Sequence, residues 1–137
     1  TEVLLVKLVR TASLSLRVST PPAESKECAA AKRYIDENYS RTITLDSLAE
    51  IAHVNKYYLS HSFKREYGAS PIDYLMKRRI TEAKALLTST DFSLTQIAEQ
   101  IGFRSLAYFS KCFRKVEDIS PNEYRKTAAR KAPSGNL

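Results

Sequence analysis

The chain has 137 residues and carries 22 Lys and Arg against 15 Asp and Glu, which gives a formal net charge of +7 at pH 7. This length predicts one domain, and the excess of positive charge favours a polyanionic partner, nucleic acid before an acidic membrane surface. The sequence has no apolar run of the about 18 residues that a membrane span requires, and no signal-peptide pattern.

Residues 1–27 differ in pattern from the rest of the chain. Apolar residues alternate with Thr, Ser and Arg up to Ser19, which is typical of one or two short β-strands, and Pro21 and Pro22 indicate a linker. Little else in the sequence is strand-like. We therefore expect residues 1–27 to be the β-like tail of an upstream domain, or an appended segment, followed by a linker. The absent initiator Met agrees with a fragment or a processed chain.

From about Glu27 the spacing of apolar residues becomes helical, and capping residues such as Thr44 and Asn55 divide the chain into about seven helices. These predicted helices occupy about residues 27–38, 45–52, 56–67, 71–89, 94–101, 105–116 and a short stretch from 121. We expect an all-α domain over residues 28–127 and a flexible tail over residues 128–137.

The fourth predicted helix carries an apolar stripe along one face. The stripe is formed by Ile72, Leu75, Ile80, Ala83 and Leu87. The basic residues of this helix are expected to lie mostly off the stripe; they are Lys77, Arg78, Arg79 and Lys84. A helix of about 17 residues is about 25 Å long, which is long enough to join two separate lobes.

The chain contains two copies of one helical unit. The segment LDSLAE at residues 45–50 returns 49 residues later as LTQIAE at residues 94–99. Three further motifs return at an offset of 50: YLS at 58–60 as YFS at 108–110, FKR at 63–65 as FRK at 113–115, and SPxxY at 70–74 as SPxxY at 120–124. The second copy therefore has one extra residue near Arg104. Two copies are too few for a solenoid and indicate two similar binding elements on one body.

Each copy has the plan of a helix-turn-helix, in which the second helix enters the DNA major groove. An advance of about 100° per residue places Leu59 and Phe63 on the buried face of that helix, and Phe109 and Phe113 in the second copy. The opposite faces are polar or basic. They consist of Tyr57, His61, Lys64 and Arg65 with Ser60 on the flank, and of Ala107, Lys111, Arg114 and Lys115 with Ser110 on the flank.

The two outer faces favour DNA as the partner. A helix that only faces solvent more often mixes acids into its polar face, whereas these faces match each other and carry no acid. We expect contacts with DNA phosphates at Lys56, Lys64, Arg65, Arg114 and Lys115. The fourth helix would then be a rigid spacer that holds the two recognition helices about one DNA turn, roughly 34 Å, apart. Such an arrangement needs no symmetry, so the DNA site is expected to be non-palindromic.

Several of these motifs resemble the signature of the AraC/XylS family of bacterial transcription regulators. They are AExxGF at residues 98–103, YFSxxFRK at 108–115, SPxxYR at 120–125, YLSxxFK at 58–64 and YLxxRRIxxA at 74–83. The resemblance covers about residues 29–126. It implies a seven-helix DNA-binding domain with two lobes joined by a long helix. It also implies promoter binding and, usually, activation through contact with RNA polymerase.

By family position, base-edge contacts are implied at Tyr57, Ser60, His61, Leu106, Ala107, Ser110 and Lys111. The sequence departs from the family pattern at His61 and Lys111, where the family often has Arg or another long polar side chain. It departs again at Asp118, where the family usually has Gly; Asp tolerates left-handed backbone, so we expect the fold to survive. Leu106 and Ala107 cannot hydrogen-bond a base, but they can contact a thymine methyl group.

The main alternative is a protein-interaction module, a helical adaptor that binds an acidic partner or a membrane surface, which would explain the charge but not the matched faces. We expect no enzyme, because the sequence has no Ser/His/Asp group, Gly-rich phosphate loop or paired-carboxylate site. We expect no cofactor and no metal, since Cys28 and Cys112 are far apart and belong to no Cys/His cluster. Cys112 is expected to be a buried thiol, and His53 a half-exposed polar residue.

The expected function is therefore that of a sequence-specific, double-stranded-DNA-binding transcription regulator of the activator type. Its expected partners are promoter DNA and RNA polymerase, with no membrane, and its expected location is the cytoplasm, at the nucleoid. Two organisations remain open. The chain is either a stand-alone regulator controlled by abundance, or the output domain of a larger regulator whose sensor and any dimerisation surface lie in a missing upstream domain. The β-like start favours the second.

Overall fold

This computed structural model describes residues 25–131, without the side chains of residues 130 and 131. Within that range the chain forms seven helices and no strand, so the predicted all-α fold is confirmed. The helices are α1 (Lys26–Asn38), α2 (Leu45–Ala52), α3 (Lys56–Tyr67), α4 (Pro71–Ser89), α5 (Leu94–Gln100), α6 (Leu106–Glu117) and α7 (Pro121–Lys131). The β-like segment predicted at the start lies, up to residue 24, outside the described residues.

Side-chain caps begin the helices where the sequence predicts them. At the start of α2 the side chains of Thr44 and Ser47 each accept a hydrogen bond from the other residue's backbone N–H group at 3.0 Å. Ser93 and Gln96 form the corresponding pair of bonds at the start of α5, at 3.0 and 2.8 Å. At α4 the Ser70 hydroxyl accepts from the backbone N–H of Asp73, and Pro71 occupies the first helical position. These bonds satisfy amide groups that a helix end leaves without partners.

The helices form two lobes with separate cores, which we define as residues 25–76 and 77–131. The first core is formed by Cys28, Ala31, Ile35, Ile43, Leu48, Ala49, Ala52, Leu59, Phe63 and Leu75. The second core is formed by Ile80, Ala83, Leu87, Ile97, Ala98, Ile101, Phe103, Phe109 and Phe113. Helix α4 supplies residues to both cores, which confirms the predicted two lobes joined by a long helix. Its 19 residues correspond to about 28 Å.

Arg79 is placed differently from the prediction, because it is buried on the inner face of α4 with only 6% of its surface exposed. Its Nε donates to the carbonyl of Tyr39 at 2.6 Å and its Nη2 to the carbonyl of Arg41 at 2.8 Å. Its guanidinium lies over the ring of Phe103, 5.4 Å from the centroid. Desolvation by burial lowers the pKa of Arg79 from its ordinary value. Arg79 therefore joins the segment after α1 in the first lobe to the core of the second.

Three smaller expectations are also corrected. Helical spacing groups Ile51 with Leu45 and Leu48 on one side of α2, but Ile51 is 37% exposed, and the residues that α2 buries are Leu48, Ala49 and Ala52. Glu117 lies inside α6 rather than after it. Helix α7 continues to Lys131, so residues 128–131 are helical and not part of a flexible tail; the small and basic residues there permit a helix.

Candidate nucleic-acid interface

The two recognition helices are held in their lobes by the same pair of buried positions. In α3 these positions are Leu59 and Phe63, and in α6 they are Phe109 and Phe113, all fully buried. Phe63 packs edge-on against Tyr67 and Tyr74. Since both inner faces are fixed by large apolar side chains, the opposite faces are held outward in a defined orientation.

The turns that precede α3 and α6 both contain a residue with left-handed backbone. In the first lobe it is His53, with a φ of 60°, and in the second it is Gly102, with a φ of 99°. The second turn is longer because it contains the extra residue Arg104, which is exposed. The left-handed backbone position is therefore preserved in both turns, while the length and the side chains of the two turns differ. His53 is exposed, more so than predicted.

The outer face of α3 has the composition predicted for it. Tyr57 is 72% exposed, and His61, Lys64 and Arg65 are exposed as well. Ser60 is half-buried on the flank, as expected. These five residues line one shallow depression of the surface. The structure thus brings five of the six predicted contact residues of the first lobe, all except Lys56, together on one continuous face.

The outer face of α6 likewise presents the predicted residues to solvent. Leu106 is 39% exposed, and four further residues are exposed: Ala107, Lys111, Arg114 and Lys115. Ser110 is half-buried on the flank, at the position that Ser60 holds in the first lobe. The first turn of this face is apolar, whereas the first turn of α3 carries Tyr57. The two faces therefore share their basic end and differ at their N-terminal end.

Among the predicted phosphate contacts, Lys56 forms an ion pair within the part of the chain that the structure describes. Its ammonium group lies 3.3 Å from the carboxylate of Asp46 and 5.5 Å from the ring centroid of Tyr57. Both partners lie in the first lobe, and Asp46 is exposed. An exposed ion pair of this kind is weak and is screened by salt, so Lys56 remains able to turn toward another anion.

The acids of both recognition helices are directed away from the outer faces. Glu66 of α3 accepts a hydrogen bond from the backbone N–H of Ser25 at 3.0 Å. Glu117 of α6 forms an ion pair with Lys84 of α4 at 3.1 Å. Among the described residues, no acid lies within ion-pair distance of the four basic residues Lys64, Arg65, Arg114 and Lys115, although Arg114 interacts electrostatically with Glu123 of α7. The outer faces are consequently positive, which suits a polyanion.

Cys112 lies on the side of α6 that faces α4 and is half-buried rather than fully buried as predicted. A hydrogen bond with the Cys112 thiol raises the pKa of Tyr108 above its ordinary value. Tyr108 is 48% exposed and also packs edge-on against Phe103. The repeat had identified Tyr108 as a matched residue, but only the structure places it between the lobes.

Over residues 25–131 no three or more His, Cys, Asp or Glu side chains are grouped as metal ligands would be. In the same range no helix combines the length and the apolar character that crossing a membrane requires.

The helical part of the chain is similar in sequence to known proteins. Residues 48–127 match a family model described as a helix-turn-helix domain, of the AraC type. The HTH-type transcriptional regulator YisR of Bacillus subtilis is 39% identical over 111 residues, which are 81% of this chain and 39% of that protein. The chain therefore spans less than half the length of this relative.

Two solved structures are similar to the fold. The C-terminal domain of AraT, a response regulator from Geobacillus stearothermophilus, has a TM-score of 0.76 at 37% identity, over 85% of this chain and 95% of that one. The DNA-binding domain of AdpA, a global transcriptional factor solved in complex with a target DNA, has a TM-score of 0.75 at 26% identity. That match covers 81% of this chain and all of the other. Both similarities include the two lobes and the helix between them.

Proposed function

The chain belongs to the AraC/XylS family of DNA-binding transcription regulators, and we propose that it binds a non-palindromic promoter site through two successive major-groove segments. The observation that carries this proposal is the pair of matched outer faces, on α3 and α6, which are exposed, positive and attached to one continuous helix. In a helix-turn-helix, a face of this kind contacts base edges and phosphates in the major groove.

The proposed contacts divide by chemistry. Polar side chains and two apolar ones, Leu106 and Ala107, near the start and middle of each helix contact base edges: Tyr57, Ser60, His61, Leu106, Ala107, Ser110 and Lys111. The basic residues at the outer ends contact phosphates: Lys64, Arg65, Arg114 and Lys115, with Lys56 once it leaves Asp46. Lys donates well to guanine O6 and N7, and Leu106 and Ala107 suit a thymine methyl group. We therefore propose a guanine with a nearby thymine under the second lobe.

Helix α4 supports the proposal of two segments on one face of the duplex. Since one helix contributes Leu75 to the first core and Ile80 to the second, the lobes cannot rotate freely about a flexible linker. A rigid body of this length is compatible with two sites about one helical turn, roughly 34 Å, apart.

We further propose that the chain is the output domain of a larger cytoplasmic regulator that activates transcription through contact with RNA polymerase. The family resemblance supports activation, and the 39% coverage of YisR supports a larger protein. Sensing and any dimerisation would then lie outside the described residues.

The test is to select bound duplexes from a random pool and to measure affinity for the selected site. Inserting five base pairs between its two segments rotates one by about half a helical turn, so binding should fall to that of a single segment. Unchanged affinity after the insertion would contradict the two-segment proposal. An absence of any sequence preference, with binding equally competed by other polyanions, would favour the protein-interaction module.

The four basic residues at the outer ends provide a second test. Replacing Lys64, Arg65, Arg114 or Lys115 by Ala, one at a time, should weaken binding to all sequences alike. Each change should also reduce the slope of log affinity against log salt by about one unit. Arg33→Ala is the control, because Arg33 is exposed on α1, outside both helix-turn-helix units. Unchanged slopes in all four variants would reject the phosphate assignment.

A further inference from the structure

A groove separates the two recognition helices, and its floor is α4. We call it the interlobe groove; it is lined by Lys64 of α3, by Met76 and Lys77 of α4, and by Cys112 and Lys115 of α6. Lys64 also lines the depression on the outer face of α3. The groove is therefore continuous with the surfaces proposed to contact DNA, and Lys77 lies between them.

The charge of the groove is predominantly positive. Its lining carries three lysines, Lys64, Lys77 and Lys115, against one acid, Asp73. Lys77 is exposed, and it forms no ion pair with any described acid, although Asp73 precedes it by one helical turn. The other lysine of α4, Lys84, is paired with Glu117. Lys77 is therefore the α4 cation that remains available to an external anion.

We propose that Lys77 binds the DNA backbone between the two major-groove segments, as a third phosphate anchor that neither recognition helix supplies. This inference rests on the proposed function. If α3 and α6 occupy successive major-groove segments on one face, the minor groove between them faces the body that joins the helices. Its flanking phosphates then pass over the interlobe groove. A lysine ammonium on a flexible stem suits such a contact, because it interacts as a point charge and needs no fixed hydrogen-bond geometry.

A contact in this position depends on both lobes being bound to the same duplex. On a duplex that carries only one segment and ends before the junction, Lys77 has no phosphate to meet. Loss of Lys77 should therefore weaken binding to the full site and leave binding to a one-segment duplex unchanged. Lys64 and Lys115 lie on the recognition helices themselves, so the loss of either should weaken binding to the full site and to the one-segment duplex that its own lobe binds.

The experiment is a double-substitution cycle between the protein and the DNA. One arm is Lys77→Ala, and the other is a selected duplex in which single phosphates at the junction are replaced by uncharged methylphosphonates. We expect Lys77→Ala to weaken binding to the full site by about tenfold at 0.1 M salt and to reduce the salt slope by about one unit. A methylphosphonate that weakens wild-type binding should have no further effect on the variant. Lys77→Arg should restore the slope, and Arg33→Ala should leave it unchanged.

The outcomes separate this inference from the proposed function. If Lys77→Ala has the wild-type slope while Lys64→Ala loses one unit, the third anchor is wrong and the two-segment function stands. If the effects of Lys77→Ala and of every junction methylphosphonate are additive, Lys77 contributes only diffuse charge and the inference is overturned. If the wild-type chain shows no preference for a two-segment site, the proposed function itself fails. Thermal unfolding of each variant verifies that Lys77→Ala is folded.

Discussion

The two lobes have the same left-handed backbone at two equivalent positions, but glycine occupies a different one of these positions in each lobe. Each lobe has left-handed backbone in the turn before its recognition helix and again directly after that helix. The first lobe has His53 in the turn and Gly68 after α3, whereas the second has Gly102 in the turn and Asp118 after α6. The lobes thus each contain one glycine at these positions, at opposite ends of the recognition helix.

The surroundings explain only one of the two glycines. A Cβ at Gly102 would lie 2.9 Å from the carbonyl oxygen of Ser40 and 3.0 Å from Nη2 of Arg79. A Cβ at Gly68 would meet nothing within 4 Å. Gly102 is therefore required by close approach to the other lobe, while Gly68 only relieves backbone strain. The repeat therefore preserves the backbone conformation, and contacts between the lobes determine at which position only glycine fits.

Two arginines, Arg79 and Arg125, cap corresponding chain segments in the two lobes. Arg79 donates to the carbonyls of Tyr39 and Arg41 after α1, and Arg125 donates to those of Leu87 and Thr90 at the end of α4. Helix α1 precedes the first helix-turn-helix as α4 precedes the second, so the two caps serve corresponding places. Arg79 is buried and its bonds are 2.6 and 2.8 Å, whereas Arg125 is half-buried and its bonds are 3.0 and 3.3 Å.

The largest expected effect comes from breaking the element that the two lobes share. Ala83→Pro places a proline in the interior of α4, where it removes a helical hydrogen bond and clashes with the preceding turn, at a cost of about 3 kcal/mol or more. We expect a lower unfolding free energy in urea and loss of binding to a full two-segment site. Ala83→Gly is the control, with a cost of about 1 kcal/mol. Normal binding by the Pro variant would show that the lobes need no rigid spacer.

The next-largest effect distinguishes the contributions of Arg79 and Arg125 to the free energy of unfolding. Arg79→Met leaves two carbonyls without their charged donor and removes a buried guanidinium that forms part-buried hydrogen bonds, so we expect a loss of about 2–3 kcal/mol in unfolding free energy. Arg125→Met removes longer and more exposed bonds, so the expected loss is about 1 kcal/mol. Urea unfolding followed by circular dichroism measures both. Equal losses would mean that Arg79 contributes no more than a cap at the end of one helix.

The burial of Arg79 also marks where the sequence was insufficient. Helix boundaries, the seven helices and the inner faces of α3 and α6 follow from local signals, namely capping residues and apolar spacing. Leu75, Arg79 and Ala83 are four residues apart, so helical spacing is compatible with an inward Arg79, but we predicted that the basic residues of α4 lie mostly off the apolar stripe. Charge argued against burial, since arginine is seldom buried unless paired. Its partners are backbone carbonyls about 40 residues away in the chain, and no local pattern reveals them.

The candidate site shows the same limit. The outward residues of both recognition helices were predictable, because their helical phase is fixed by buried Phe residues. The ion pair of Lys56 with Asp46 and that of Lys84 with Glu117 were not, since both join different helices. For the same reason the sequence did not distinguish Lys77, which is available, from Lys84, which is paired. The direction of a charged side chain depends on partners that only the fold brings near.

A third prediction compares the lobes as readers of sequence. Lys111→Ala should cost about 1–3 kcal/mol of binding free energy on the selected site and relax the preference at one base position. His61→Ala should relax a different position, about one helical turn away, with a smaller loss, because an imidazole ring has fewer hydrogen-bond donors than a lysine ammonium group. Both variants are measured against every single-base change in the site. If both relaxed the same position, or neither relaxed any, the two lobes would bind DNA by charge and shape alone.

The smallest expected effects test the exchange of glycine between the lobes. Gly68→Ala should cost about 1 kcal/mol, because its only penalty is left-handed backbone. Gly102→Ala carries the same penalty and also forces the Cβ against the Ser40 carbonyl, so we expect a loss of about 2 kcal/mol. His53→Gly and Asp118→Gly should each stabilise by about 0.5 kcal/mol, since relief of left-handed strain exceeds the added entropy of the unfolded chain.

The four variants form two matched pairs, Gly68→Ala with Gly102→Ala and His53→Gly with Asp118→Gly. Urea unfolding measures the free energy of unfolding of each variant, and hence the difference within each pair. The difference between Gly102→Ala and Gly68→Ala isolates the contact between the lobes, because the backbone conformations are similar and only the surroundings differ. Adding Arg79→Met to Gly102→Ala should then give less than the sum of the two losses, since removing the guanidinium relieves part of the crowding at Gly102. Strict additivity, or equal losses at the two glycines, would mean that the contact between the lobes does not constrain Gly102. In that case the exchange of glycine would be neutral, and the two lobes would be independent copies that happen to share a helix.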